Sequence, residues 1–119
     1  MVERPSQKTK NPKTKNLMIQ KTTPDIAPRV QANLDGRIMY SGKKAESILL
    51  TLKPGETIPS HTNPFDVLFI GIEGKADIIS LEKQFSLNPC ETLFVSSEEP
   101  REMQNLSDKT LKVMVVKLF

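Results

Sequence analysis

From about residue 29 onward the chain alternates short apolar runs with turn residues every six to twelve positions. That spacing predicts an all-β sandwich or barrel. Ala45 to Leu52 (AESILLTL) reads as a strand ending at the Pro54-Gly55 turn, and Asp66 to Ile72 (DVLFIGI) as a second ending at Glu73-Gly74. Lys75 to Ser80 (KADIIS) is expected to fold back on that strand as a hairpin. Asn88-Pro89 marks a turn before a strand at Thr92 to Ser96, and Leu111 to Leu118 (LKVMVVKL) supplies the last strand. No twelve-residue segment combines a helical stripe with a cap and a stop, so helix is expected to be minor or absent. The run DVLFIGI is apolar at odd and even positions alike, which implies that both faces of that strand are covered. In so small a domain the second face is expected to meet another copy, giving a homodimer. The alternative is that the N-terminal segment folds across it.

Length adds one constraint: 119 residues make a single domain with a single core. Charge divides the chain. Residues 1–22 carry Arg4, Lys8, Lys10, Lys13, Lys15 and Lys21 against Glu3, a net +5, whereas the other 97 residues hold 11 basic and 13 acidic side chains. A segment so rich in Lys, Thr, Asn and Pro buries too little apolar surface to offset its ordering entropy. Residues 1–22 are therefore expected to form a disordered basic tail, and residues 23–119 the folded barrel. The first sixteen residues are too polar for a secretory leader, and the longest apolar run, Val67 to Ile72, is six residues. That is far short of the roughly 20 needed to span a membrane. The lone Cys90 leaves no internal disulfide. Together these features read as a soluble, cytoplasmic protein. With no Trp and a single Tyr there is no base-stacking platform, and nucleic acid is not an expected partner.

The stretch from Pro54 to Gly74 resembles the first motif of the cupin family. That motif runs Gly, five residues, His, one residue, His, three or four residues, Glu, six residues, Gly. Gly55, His61 and Gly74 stand at its positions, with Asn63 for the second His and Val67 for the Glu. In the family's second motif, Cys90-Glu91 replaces Gly-Asp, Ser96 replaces Pro, Arg101 replaces His, and Asn105 stands where the final Asn is expected. The resemblance covers roughly residues 45 to 118 and implies a small double-stranded β-helix, or jelly-roll, barrel. Cupins commonly hold a divalent metal with three imidazoles and a carboxylate, and of these four ligands the resemblance leaves only His61. Arg101 is always protonated and has no acceptor. Asp66 precedes the missing Glu by one residue, so strand alternation turns it away from the lumen unless a bulge intervenes. No native metal and no cofactor are expected.

What remains is a donor-rich set. His61 and Asn63 should share a face, as should Arg101, Met103 and Asn105 on the opposing strand. The N–H donors of Arg, Asn and His suit a carboxylate or phosphate better than a cation. With Val67, Phe69 and Met103 as apolar walls, the candidate binding residues are His61, Asn63, Arg101, Phe69 and Met103, holding a small anionic or polar organic molecule. The three polar ones have plainer readings: His61 packed and hydrogen-bonded, Asn63 in a turn before Pro64, Arg101 swung outward to Glu98, Glu99 or Glu102. Cys90 has no base or cation placed beside it and is assigned no role. Two alternatives stay open. One is a metal-free isomerase or epimerase using His61 as base, with Tyr40 a distant candidate acid. The other is an interaction protein that uses the barrel as a dimeric platform and the basic tail for contact, which a filled, dry lumen would favour.

Overall fold

A computed structural model describes residues 17–119. The tail expected over 1–22 falls, for residues 1–16, outside the described residues. Residues 17–21 are exposed and carry no regular structure. Nine strands follow: β1 (Asp35–Ser41), β2 (Ala45–Leu52), β3 (Thr57–His61), β4 (Asp66–Glu73), β5 (Ala76–Ser80), β6 (Lys83–Leu87), β7 (Thr92–Val95), β8 (Arg101–Gln104) and β9 (Leu111–Leu118). They form two antiparallel sheets, one ordered β1-β2-β9-β4-β7 and the other β3-β8-β5-β6. Among the described residues there is no helix, and so none long and apolar enough to cross a membrane. Ahead of β1, Arg29 bridges to Arg37, and the Pro28 carbonyl accepts from the Ile38 amide at 2.8 Å. The segment before the barrel thus joins the sheet at its β1 edge.

The core lies between the sheets, because alternate residues of each strand point inward. Leu52, Leu111 and Val113 are fully buried, with Val67 and Phe69 of β4 beside them and Ile78 and Met103 facing them. Burying each such side chain is worth about 1.5–3 kcal/mol. The other face of β4 is different: Leu68 and Ile70 are half-buried and Ile72 is exposed.

One pairing differs from the sequence reading. Lys75 to Ser80 does not return alongside β4; β5 pairs with β6 and β8 in the other sheet. The turn explains the departure. A register shift between Gly71 and Glu73 ends the β4 ladder. Gly74 then adopts a left-handed φ of 74°, with the Thr110 carbonyl where a side chain would stand. Only glycine takes this corner without strain, and it carries the chain across to the facing sheet.

Asn105 holds the opposite end together. Its side chain is fully buried, donating to the carbonyls of Leu52 (3.0 Å) and Lys109 (2.8 Å) and accepting from the Ser107 amide and hydroxyl. Its backbone bonds Gly55 and Glu56. The ends of β2 and β8 and the starts of β3 and β9 therefore meet on one amide.

Candidate functional site

Pairing between strands decides which polar side chains enter the barrel. On β3 and β8, Ile58 stands opposite Met103 and His61 opposite Arg101, so three residues on β3 match two on β8. This bulge re-aims the strand: regular alternation from Ile58 would turn Ser60 inward, and the extra residue turns His61 inward instead. On the other side of β8, Ile79 pairs with Glu102, which puts Ser80 level with Arg101, and Ser80 pairs with Lys83 of β6. The inner face of this sheet thus carries a polar rung of His61, Arg101, Ser80 and Lys83 near the barrel mouth, above an apolar rung of Ile58, Met103, Ile78 and Phe85.

Two cavities flank Arg101. The larger, of about 280 Å³, is bounded by His61, Asn63, Arg101, Phe69 and Met103 among a mainly aliphatic lining. All five sequence-derived candidates therefore border one space, with Val67 in its wall. The smaller, of about 220 Å³, lies toward β6 and β7 and includes Ser80, Lys83, Glu99 and again Arg101. Arg101 stands between them as a partition.

Arg101 points inward and is 1 % exposed. With the Asn63 amide oriented by its partners, Oδ1 accepts from Arg101 Nη1 at 2.6 Å and Nδ2 donates to the Thr62 carbonyl at 3.3 Å. The outward reading of Arg101 is set aside by this burial. Glu99 accepts instead from the Ser80 hydroxyl at 2.7 Å, and Glu102 from Gln104. Among the described residues Arg101 Nε and Nη2 have no acceptor. Burial pushes the guanidinium pKa down, and the nearby Glu99 charge opposes that shift. A buried donor left without a partner costs roughly 1–3 kcal/mol, and more when charged. The fold therefore carries a deficit at this spot.

The other polar residues are accounted for. His61 is exposed at the cavity mouth, its Nδ1 3.0 Å from the Pro59 carbonyl, which favours the Nδ1–H tautomer and leaves Nε2 as the free lone pair. Asp66 Oδ1 accepts from the Ser97 amide at 2.8 Å, in keeping with a side chain turned from the lumen. Asn105 shares the inward phase of Arg101 and Met103, but its bonds are all structural. Lys117, in phase with Leu111, Val113 and Val115, reaches the cavity and pairs with Glu46 at 3.3 Å. The sequence reading missed it, although the alternation of β9 carried the signal. It also missed Val30, Ala32 and Leu34, which close one side of the cavity from the loop before β1. No periodicity marks those three.

The donor set does not fit a divalent metal. Of the four ligands the resemblance implies, His61 alone is in place, and the buried guanidinium beside it adds positive charge with no lone pair. Among the described residues no three His, Cys, Asp or Glu side chains converge.

A family model described as "Cupin domain" matches residues 48–117. No curated protein matches the sequence. Among solved structures, a cupin superfamily protein from Desulfitobacterium hafniense superposes with a TM-score of 0.68 at 17 % identity, over 88 % of this chain and 96 % of that one. A cupin 2 conserved barrel domain protein from Salinispora arenicola gives 0.73 at 15 % identity, over 87 % and 91 %. The polyketide cyclase RemF from Streptomyces resistomycificus gives 0.75 at 13 % identity, over 85 % and 80 %. At these identities the likeness is one of fold.

Proposed function

Because the chain belongs to the cupin family and its barrel has a buried guanidinium where that family's resemblance implies a metal ligand, we propose that it binds a small anionic or polar organic molecule in the lumen without a native metal. One observation carries the reading: Arg101, almost wholly buried and with two donors unpartnered among the described residues, borders a cavity walled by Phe69 and Met103. A pocket of this kind, apolar with a few convergent polar groups, is the usual form of a small-molecule site.

The metal-free enzyme reading has less support. A general base needs its ring oriented by a carboxylate and an acid across the substrate. Nδ1 of His61 faces a backbone carbonyl instead, and Tyr40 lies on β1, outside the cavity lining.

Thermal unfolding across a panel of organic acids, sugar phosphates, neutral sugars and divalent metals tests the proposal. A saturable rise in midpoint with an organic molecule, absent in Ile58→Trp, which fills the lumen from the edge strand, is the expected result. A midpoint that responds to a divalent metal alone, or to nothing, would sink it.

A further inference from the structure

We propose that the molecule held in this lumen is a monocarboxylate with a compact apolar body, its carboxylate received by the Nε and Nη2 edge of Arg101. The inference rests on the reading of the lumen as a ligand pocket and narrows it to one chemical class.

The geometry of the guanidinium comes first. Nη1 is committed to Asn63, while Nε and Nη2 have no partner among the described residues. Those two N–H groups lie on one edge of the planar group and point in parallel, at the spacing of the two oxygens of a carboxylate. Both atoms are sealed from solvent where they stand. Arg101 borders the cavities on either side, so receiving the carboxylate requires its terminal torsions to turn that edge to the wall, exchanging the Nη1–Asn63 contact for the ligand's.

Charge then selects within the anions. Lys117 is paired with Glu46, and Glu99 is hydrogen-bonded to Ser80. Arg101 makes no salt bridge among the described residues, and Glu99 acts on it only at longer range from the smaller cavity; on the larger cavity's side one uncompensated charge matches one negative charge. A phosphate dianion would bring a second charge and a strong hydration shell into a largely aliphatic space, with only His61 at the mouth to answer it.

Size and polarity set the remainder. Ile48, Leu50, Phe69 and Val115 offer no hydrogen bonds, so the body of the ligand is hydrocarbon. At the ~30 Å³ a water takes up in the liquid, a space of about 280 Å³ equals roughly nine waters, which suits a compact ligand.

The experiment is calorimetric titration and thermal unfolding of the full chain with isovalerate, benzoate and phenylacetate, each beside its neutral amide, and with inorganic phosphate. Parent, Arg101→Met, Arg101→Lys and Ile58→Trp are compared. At least one acid is expected to bind and, at about ten times its Kd, to raise the midpoint by roughly 5 °C or more. Its amide should bind at least about tenfold more weakly, and Arg101→Met should lose about ten- to a hundredfold in affinity. Arg101→Lys keeps the charge without the fork and should recover only part of the loss; it carries the comparison should the Met variant not fold. An amide that binds as tightly as its acid, or an acid whose affinity ignores both Arg101 variants, overturns the carboxylate assignment. If Ile58→Trp still abolishes that binding, the lumen reading survives. Failure of all three acids also overturns the assignment, and the wider ligand panel then decides the lumen reading by itself.

Discussion

Arg101 and Asn105 lie four positions apart, share an inward phase, and serve opposite ends. Asn105 has every polar atom satisfied, so Asn105→Ala should lower stability by about 2–4 kcal/mol, measurable as a reduced denaturation midpoint at unchanged slope. Arg101 has two donors without partners among the described residues, so Arg101→Met should raise the unfolding free energy by about 1–3 kcal/mol while removing ligand binding. A loss of stability in that variant would mean that the guanidinium is a structural fixture. Cys90 adopts a φ of 70° in the loop that clamps onto Gly71. A left-handed cysteine is strained, so Cys90→Gly should stabilise by about 1 kcal/mol in the same assay. At this scale the sequence was informative. Arg101, Asn63 and His61 were recognisable because motif spacing places them where the resemblance implies metal ligands. Which way Arg101 turns was not, because Glu98, Glu99 and Glu102 offered an equally plausible outward pairing, and only the packing around β8 decides against it.

Elements with long apolar runs or clean alternation were readable; edge elements were not. The strands β2, β4 and β9 occupy the middle of the larger sheet and announce themselves as apolar runs. By contrast β6 (KQFSL) exposes four of its five residues, and a strand with one partner and one buried side chain has little pattern to show. The destination of β5 was equally hidden, since a Glu-Gly turn fits both a hairpin and a crossing to the facing sheet; the Thr110 carbonyl packed against Gly74 makes the choice. The β5–β6 connection has its own signature, a two-residue loop whose first residue, Leu81, has a φ of 56° and is 76 % exposed. Leu81→Gly should remove that strain and gain about 1 kcal/mol, seen as a higher thermal midpoint. A fall in midpoint would show that the leucine packs usefully at the tip.

At the scale of the whole molecule the question is whether a second copy covers the outer face of the larger sheet. The outer face of the larger sheet carries Leu68, Ile70, Met114 and Val116 half-buried, with Ile72 47 % and Phe94 56 % exposed. Among the described residues, the segment just before β1 docks at the far edge of this sheet, with β2 and β9 between it and β4. We propose a second copy as the cover for this face, and light scattering at micromolar concentration is expected to give twice the 13.4 kDa chain mass. Phe94→Glu should return the particle to chain mass without unfolding it; a parent that is already monomeric removes the proposal. The bulge that aims His61 into the lumen bears on the same question from the other side. It lies on β3, an outermost strand of five residues whose middle one is Pro59, a residue with no amide hydrogen to offer. A short, kinked, donor-poor margin is a bad template for adding foreign strands, so the device that shapes the binding chemistry also guards against fibril-like stacking.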